Sequence, residues 1–311
     1  YQRPFWDKNI RKVLSIVIPN HYIFRLAGFF TRFIKPFKFL LPKKIKNMVA
    51  LMPTNFPKKK LKDKKVYPVR NNETTARVAL LTGCVQKVIS PQINEATIRL
   101  LNRHGVEVVV PKKIKCCGSL NHHLGKEHSA HEEFKNNILQ WYDEYSKGGL
   151  DAIISNASGC GTTIKDYGFV FRGDGELKKK AKKISELTKD ISEYLTQSLK
   201  LNFKNINKNY KIAYHSACSL QHGQKVHTEP MDLIKKTGNE VVEIPDGHLC
   251  CGSAGTYNML QAEIAERLLK EKIMNIEKIK PDIILTGNIG CITQISIGTK
   301  IPILHTVEII D

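Results

Sequence analysis

The eight cysteines of this chain fall into two sets of four with nearly the same spacing. In each set a single cysteine is followed, after 31 intervening residues, by a Cys-Cys-Gly-Ser tetrapeptide and later by a Gly-Cys pair. The two sets are Cys84, Cys116, Cys117 and Cys160, and Cys218, Cys250, Cys251 and Cys291. Matched cysteines lie 134 residues apart at the first three positions and 131 residues apart at the fourth. A nearly fixed offset indicates a duplicated structural unit, so the chain is expected to fold as two similar halves.

Short apolar, β-branched runs surround the cysteines at matched places in both halves. Because they are bounded by Gly, Pro or Asn, they predict buried strands at 77–82, 106–111, 151–156, 211–216, 240–245 and 282–288. Longer stretches between them have helical periodicity, at about 91–104, 126–147, 176–199 and 258–279. Strands alternating with helices predict an α/β fold of two tandem pseudo-repeats with parallel sheets. We assign the repeats to residues 76–200 and 201–311, after a basic N-terminal linker segment at 1–75.

The cysteines follow the predicted strands closely. In parallel α/β sheets, ligands bind beyond the carboxyl ends of the strands. Three loops of each half should therefore meet at one edge of its sheet and bring four thiols together. The sequence predicts one cysteine site in each repeat.

Three kinds of chemistry could use such cysteines. Disulfides are disfavoured, because an α/β chain of this size needs no covalent staples and adjacent cysteines rarely pair with each other. Structural zinc sites are usually assembled from compact C-x₂₋₄-C pairs, which this sequence lacks. An iron–sulfur cluster can take its thiolates from widely separated loops, and it suits the complete pattern best. Zinc remains the alternative.

With these residues in view, the chain resembles the cysteine-rich domain family that includes a heterodisulfide reductase component and several dehydrogenase iron–sulfur subunits. Within that family it is most similar to the iron–sulfur subunits of glycolate oxidase, also called glycolate dehydrogenase. The segments that carry the resemblance are 82–86, 94–97, 116–125, 156–168, 215–223, 248–257 and 287–291. It extends over nearly the whole chain from about residue 75.

The resemblance implies an iron–sulfur subunit that transfers electrons from flavin-bearing partner subunits to a quinone-type acceptor while glycolate is oxidised to glyoxylate. It implies that all eight cysteines are metal ligands for iron–sulfur clusters of the [4Fe–4S] type, that FAD lies on the partner subunits, and that this chain carries no catalytic residue. The alternatives are a subunit serving lactate or glycerol-3-phosphate oxidation, a heterodisulfide-type reductase subunit, or a non-catalytic scaffold.

Two features depart from the family pattern. The fullest family motif ends in Cys-x-x-Cys, but Ala157 and Asn288 occupy the earlier position of that pair here. Each repeat therefore offers four thiols, which favours a cluster with four ligands. The glycolate oxidase subunit normally begins with a ferredoxin-like domain, and no cysteine precedes Cys84. We therefore expect that domain to be missing from this chain by truncation.

The net charge of +20 is concentrated near the N-terminus. Residues 1–70 contain 18 Lys and Arg against two Asp, a net of +16, whereas the remaining residues carry only +4. This location disfavours nucleic-acid binding, which usually needs basic residues spread over one folded face. One interpretation is a solvated linker containing the lysine run 58–65; the other is an amphipathic, aromatic-rich segment that lies on an anionic membrane or in a partner's groove. No apolar run is long enough to span a membrane, and a cytoplasmic location, with the inner face of the cell membrane as the alternative, is expected.

Several histidines occur near the cysteine loops. They are His122, His123, His215, His222 and His248. A histidine there could be a cluster ligand or a proton carrier, but the more common role is a hydrogen-bond donor or an ordinary loop residue. The sequence does not distinguish one of the five from the others.

Overall fold

The computed structural model describes residues 2–53, 56–58, 65–69, 73–201 and 209–311. The segment before the first repeat is largely helical. Its elements are α1 (Phe5–Val17), α2 (His21–Ile34), a 3₁₀ helix (Lys35–Leu40) and α3 (Lys43–Leu51). Among the described residues no single helix is both long and apolar enough to cross a bilayer; one bent pair, Phe5–Val17 with His21–Leu40 at 114°, has the length and composition to do so.

The prolines of this segment mark helix ends. Pro4 and Pro42 precede the first residues of α1 and α3, and Pro19 lies between α1 and α2. Proline disfavours a helical conformation in the residue before it, so it separates helices efficiently. Asn20 caps α2 by accepting hydrogen bonds from the amides of Tyr22 and Ile23, at 3.1 and 3.2 Å.

One side of these helices packs onto the rest of the chain. Leu14, Ile18 and Phe24 are buried in a core cluster that also contains residues of both repeats. The solvated-linker interpretation is therefore wrong for residues 5–51, which form helices with a buried side. Most of the lysine run lies outside the described residues.

The first repeat is built on a five-stranded sheet. Its strands are β1 (Val66–Tyr67), β2 (Ala76–Leu81), β3 (Val106–Val109), β4 (Ala152–Ser155) and β5 (Thr188–Asp190). Their order is β1-β3-β2-β4-β5, and every neighbouring pair is parallel except β1 with β3. Every residue of β4 is buried, as expected for a parallel strand covered on both faces.

Helices cover both faces of this sheet. They are α4 (Gln86–Ile89), α5 (Pro91–Arg103), α6 (Ser119–His123), α7 (Glu127–Gly148), α8 (Ser158–Lys165), α9 (Tyr167–Val170), α10 (Lys178–Leu187) and α11 (Ile191–Ser198). Helix α7 buries Phe134 and Trp141 in the cluster that also contains Cys116 and Cys117.

The second repeat has the same strand order without the antiparallel edge strand. Its strands are β6 (Lys211–Tyr214), β7 (Glu240–Glu243), β8 (Ile283–Thr286) and β9 (Ile303–His305), in the parallel order β7-β6-β8-β9. This order matches β3-β2-β4-β5. A π-helical turn (Ser219–Gln224) follows β6, and the helices are α12 (Glu229–Lys235), α13 (Tyr257–Leu260), α14 (Ala262–Ile279), α15 (Ile289–Ser296) and α16 (Thr306–Ile310).

The two repeats pack directly on each other. Helix α5 contacts α16, and α11 contacts α12. The amide of Ser158 donates to the carbonyl of Gly287 at 3.1 Å, and the hydroxyls of Ser158 and Ser219 are 2.8 Å apart. These contacts join the loops that follow β4, β6 and β8.

The predicted fold class, with two pseudo-repeats and parallel sheets, is confirmed. All six predicted strands form, each within two residues of its predicted ends. Two predicted helices are each divided into two. Strand β5 interrupts the range 176–199, and Gln261 separates α13 from α14 within the range 258–279.

Candidate functional site

The first cysteine set (Cys84, Cys116, Cys117 and Cys160) assembles at the carboxyl edge of the first sheet. Cys84 lies three residues beyond β2, the adjacent pair lies in the loop after β3, and Cys160 lies in the first turn of α8. The Sγ atoms of Cys84 and Cys116 are 3.4 Å apart. The Cys117 thiol contacts those of Cys116 and Cys160. The prediction that the loops of the first repeat converge is confirmed.

The second cysteine set (Cys218, Cys250, Cys251 and Cys291) assembles in the same way at the second sheet. The Cys218 thiol contacts Cys250, which contacts Cys251, which in turn contacts Cys291 in the first turn of α15. The amide of Gly252 donates to the Cys250 Sγ at 3.3 Å. An amide donor of this kind is suited to stabilising a thiolate.

The glycine after each cysteine pair makes this geometry attainable. Gly118 has φ +80° and Gly252 has φ +90°, in the left-handed region that other residues rarely adopt. A Cβ on Gly118 would enter the Phe134 ring, and one on Gly252 would lie 2.5 Å from the carbonyl oxygen of Ala265. Each glycine therefore lets its cysteine loop lie against the long helix that follows.

Within each set, contact among the thiols shifts their pKa values, and the first three cysteines follow the same pattern in both sets. Hydrogen bonds from Cys117 and Cys84 lower the pKa of Cys116, and hydrogen bonds from Cys218 and Cys251 lower the pKa of Cys250 to about 2. The first cysteine of each set shifts the other way: the hydrogen bond to its neighbour and burial raise its pKa. In both sets the first member of the adjacent pair is the favoured thiolate.

Only one of the five histidines belongs to a group of candidate metal ligands within the described residues. Ligand atoms of His215, Cys251 and Cys291 all lie within 4.8 Å of one another, and all three residues are buried. His122 and His123 are exposed but line the nearby cavity, and His222 and His248 are also exposed. The sequence analysis did not single out His215 among the five histidines. Alignment of the two repeats could have done so, because it places His215 opposite Leu81, where the first repeat has no histidine.

The sequence also missed Tyr167 and Asn137. Both are fully buried, and they donate hydrogen bonds of 2.8 Å to the carbonyls of Cys117 and Cys116, respectively. They fix the backbone of the adjacent pair. Asn137 lies far from Cys116 in sequence and gave no local signal, whereas Tyr167 lies in the segment 156–168 that carries the family resemblance but was assigned no role.

The two sets share one cavity of about 1190 Å³, and all eight cysteines line it. Ile18 and Phe24 of the N-terminal helices and Leu51 of α3 line it as well. The helical segment before the first repeat therefore forms part of the wall of the space between the two sites. The sequence predicted two sites but not a common cavity.

The donor chemistry of both sets suits a metal centre bound by thiolates. Each set offers four sulfur atoms from three loops, a buried environment and a thiol whose pKa is lowered by its neighbours. Soft thiolate ligands favour zinc, copper(I) and iron–sulfur clusters over oxygen-binding cations such as Mg²⁺. Both four-thiol sets therefore fit the group expected from the sequence.

The fold and the two sites define a duplicated cysteine-rich α/β protein with a four-thiol site in each half. The cysteine-rich CCG domain matches residues 78–165 and again residues 212–296. This chain belongs to the cysteine-rich domain family.

Named relatives extend the comparison. The chain is 33% identical over 310 residues to the glycolate oxidase iron-sulfur subunit of Escherichia coli, covering all of this chain and 72% of that protein. It is 29% identical over 266 residues to the probable glycolate oxidase iron-sulfur subunit of Bacillus subtilis, covering 84% of this chain and 58% of the relative. It is also 27% identical over 241 residues to lactate utilization protein A of Geobacillus thermodenitrificans, covering 76% of this chain and 98% of that protein.

Proposed function

We propose that this chain is an iron–sulfur electron-transfer subunit of a flavin-dependent dehydrogenase that oxidises glycolate to glyoxylate. The observation that carries the proposal is the assembly of two four-thiol sets around one cavity. The 33% identity to a glycolate oxidase iron-sulfur subunit over the full chain favours glycolate as the substrate of the complex. The similarity to lactate utilization protein A supports lactate as the second candidate.

The proposed ligands are the eight cysteines, four for each cluster. An iron–sulfur cluster bound there would accept and release single electrons. The protein's part is to hold the thiolates, supply amide hydrogen bonds such as that of Gly252, and limit water around the sites. Hydride abstraction from the hydroxy acid would belong to FAD on partner subunits, so no side chain of this chain is assigned to it.

Four thiols per set favour [4Fe–4S] clusters. Zinc is the competing occupant, because it also binds four thiolates. Two other functions are compatible with the same fold. In a heterodisulfide-type reductase a cluster would act directly on a substrate disulfide, and a scaffold would hold no cofactor. The metal content of the chain separates these alternatives.

The test is anaerobic purification with iron, acid-labile sulfide and zinc measured together, followed by EPR of the reduced chain. We expect about eight irons and eight sulfides per chain, falling to about four of each in Cys117→Ser and in Cys251→Ser. Met274→Ser, on an exposed position of α14, is the control and should retain the full content. Stoichiometric zinc, or no metal after reconstitution, would overturn the electron-transfer role.

We further propose that the N-terminal helices place the subunit against an anionic membrane, near a quinone-type acceptor. Of twenty exposed large hydrophobic side chains among the described residues, fifteen lie between Phe5 and Ile45. On α2 the exposed face is apolar at helical spacing, comprising Tyr22, Ile23, Leu26, Phe29, Phe30, Phe33 and Ile34. Arg25 and Arg32 flank this face. Aromatic residues beside cations suit an interface with acidic lipid headgroups.

Vesicle co-sedimentation tests this surface. The chain should bind vesicles that contain anionic phosphatidylglycerol, with weaker binding in high salt and to neutral phosphatidylcholine vesicles. Replacing Phe29, Phe30 and Phe33 by Ser should abolish binding, whereas Met274→Ser should not. If the chain does not bind anionic vesicles, or if the triple variant binds them as well as the parent chain, the membrane role is wrong and a protein partner becomes the better explanation.

A further inference from the structure

The two cysteine sets have the same backbone frame but different neighbours. Cys84 and Cys218 occupy matched positions, so the residue three places before each can be compared directly: Leu81 in the first repeat and His215 in the second. Both residues are buried at the carboxyl end of the central strand of their sheet. A leucine at this position offers no polar atom, whereas a histidine offers a donor and an acceptor.

His215 is placed to interact with the second set. Only 1% of its surface is exposed, and within the described part of the chain its ring nitrogens have no nitrogen or oxygen partner, while the ring contacts the Cys291 thiol. One of its nitrogens lies within 4.8 Å of the sulfur atoms of both Cys251 and Cys291. A buried imidazole N–H that meets no strong acceptor is costly, because it loses hydration and gains little in return. A group held by the second set would provide the missing acceptor for this N–H.

A second difference lies on the long helix behind each cysteine pair. Ala130 and Ala265 lie beneath Gly118 and Gly252, which places α7 and α14 in register. Seven residues further along, the first repeat has Asn137 and the second has Lys272, both buried. Asn137 is neutral and donates to the Cys116 carbonyl at 2.8 Å.

Lys272 brings a positive charge near the second set. Its Nζ donates to the carbonyl oxygen of Asp246 at 3.0 Å, and its charge interacts with Cys250 and Cys251. The Asp246 carboxylate is the nearby counter-charge, but it is exposed, so water screens it. The buried lysine therefore leaves a net positive contribution on this side of the second set.

The first set has no matching buried cation within the described residues. The position equivalent to Leu268 of the second repeat is Glu133, a partly buried carboxyl that accepts from Asn121 at 3.0 Å. Lys115 lies beside Cys116 but is exposed to solvent. The first set therefore lacks the buried charge that Lys272 provides at the second.

These differences act on reduction potential. Reduction adds one negative charge to a centre, so nearby cations and hydrogen bonds to its sulfur atoms stabilise the reduced form and raise the potential. His215 and Lys272 supply these two influences at the second set, and Leu81 and Asn137 supply neither at the matched places.

We propose that the second cysteine set holds its cluster at a higher reduction potential than the first, with His215 and Lys272 as the residues that raise it, so that electrons pass from the first repeat to the second. Each transfer oxidises the first centre by one electron and reduces the second by one; the flavin-bearing partner supplies the electron. Both sets line one cavity. This inference rests on the proposed function.

An anaerobic redox titration of the whole chain, followed by EPR, tests the proposal. Two midpoints are expected, and Cys117→Ser and Cys251→Ser assign them to the first and second repeat. His215→Leu and Lys272→Asn, which copy the first repeat, should each lower only the higher midpoint. In each variant the higher midpoint is expected to fall by about 59 mV, which for a one-electron couple corresponds to about a tenfold change in the ratio of reduced to oxidised cluster at a fixed potential. His222→Leu, an exposed histidine, should move neither midpoint.

Variants that place the second repeat's residues in the first repeat keep the test decisive if a second-repeat variant loses its cluster. Leu81→His and Asn137→Lys should raise the lower midpoint, and Lys272→Arg should retain the high one. Equal midpoints, a higher midpoint in the first repeat, or an unchanged value in both His215→Leu and Lys272→Asn would each overturn the inference while leaving the electron-transfer role intact. Absence of any iron–sulfur signal would instead overturn the proposed function.

Discussion

The two repeats differ less in backbone than in the side chains around their cysteines. Both have the same order of four parallel strands, a left-handed glycine after the cysteine pair, and a capped helix after the last strand. The surroundings diverge at Leu81 and His215 and at Asn137 and Lys272. The two repeats therefore share the frame that brings four thiols together, whereas the side chains around the thiols differ.

The difference shows which parts of a duplicated site are constrained by geometry. A residue at positive φ has few acceptable replacements, so glycine follows the cysteine pair in both halves. A neighbour that fills space or supplies charge can change without loss of the fold. Comparing matched variants in the two repeats separates these two kinds of constraint.

The largest effect is expected for the glycines after the cysteine pairs. Gly252→Ala should lower the free energy of unfolding by about 3 kcal/mol or more, because the new Cβ meets the helix backbone at Ala265 and φ is unfavourable. Gly118→Ala should cost less, because the closest atoms belong to the Phe134 side chain and the nearest helix backbone atom, the carbonyl oxygen of Ala130, is farther away at 3.2 Å. Urea unfolding under anaerobic conditions measures both, with Gly173→Ala in an open turn as the control. A larger cost at Gly118 would contradict this comparison.

A smaller effect is expected at the helix caps that follow β5 and β9. Asp190 accepts from the amide of Ser192 at 2.9 Å, and His305 accepts from the amide of Val307 at 3.1 Å. Burial raises the pKa of Asp190 to about 6 and lowers the pKa of His305 to about 4. Burial favours the neutral form of both groups, so the two caps should respond to pH in opposite directions.

The sign of each response follows from its shift. The Asp190 contribution is full below its unfolded pKa of 3.8 and is lost as pH rises through about 6; the His305 contribution is full above 6.5 and is lost as pH falls toward about 4. From pH 5 to 7, Asp190→Asn should gain about 1–2 kcal/mol relative to the parent chain, and His305→Asn should lose a similar amount. Urea unfolding across this range measures both slopes, and slopes of the same sign would exclude the assignment.

The sequence predicted the central strands because they are apolar, short and bounded by strong turn signals. It missed β1, which has two residues, and β5 and β9, which have three residues each. Leu187, Ile191 and Leu195 on either side of β5 have helical spacing, so the strand between them was hidden in a helical pattern. Three residues are too few for a period of two to be recognised.

The N-terminal helices were obscured by composition. Lysine and proline dominate the segment and are typical of linkers, yet the prolines at 4, 19 and 42 occupy helix boundaries. The cysteine sets were predictable because their spacing recurs. His215 and Lys272 were not, because their importance depends on burial and on the neighbours that the fold supplies.

The smallest effect is expected at the first residues of the central strands. Arg77 in β2 donates to Glu107 at 3.0 Å, to Glu144 at 3.1 Å and to the carbonyl of Gly149 at 2.7 Å. At the matched place in β6 is Lys211, and the position equivalent to Glu144 is Ile279. The first repeat therefore has a guanidinium here that bridges two carboxylates, and the second has no carboxylate at the position of Ile279.

Exchanging these two residues measures how far the repeats have diverged. Arg77→Lys should lower the free energy of unfolding by about 1 kcal/mol, because one ammonium cannot reproduce the separate donors to Glu107, Glu144 and the Gly149 carbonyl. The loss should shrink in high salt, since Arg77 is partly exposed. Lys211→Arg should change the free energy of unfolding by less than about 0.5 kcal/mol. The reason is that Ile279 occupies the position of Glu144 in the second repeat and offers no carboxylate to a guanidinium. If urea unfolding showed the same loss of unfolding free energy in both variants, the hydrogen-bond network around Arg77 would add no stability beyond that of the positive charge, which both repeats have.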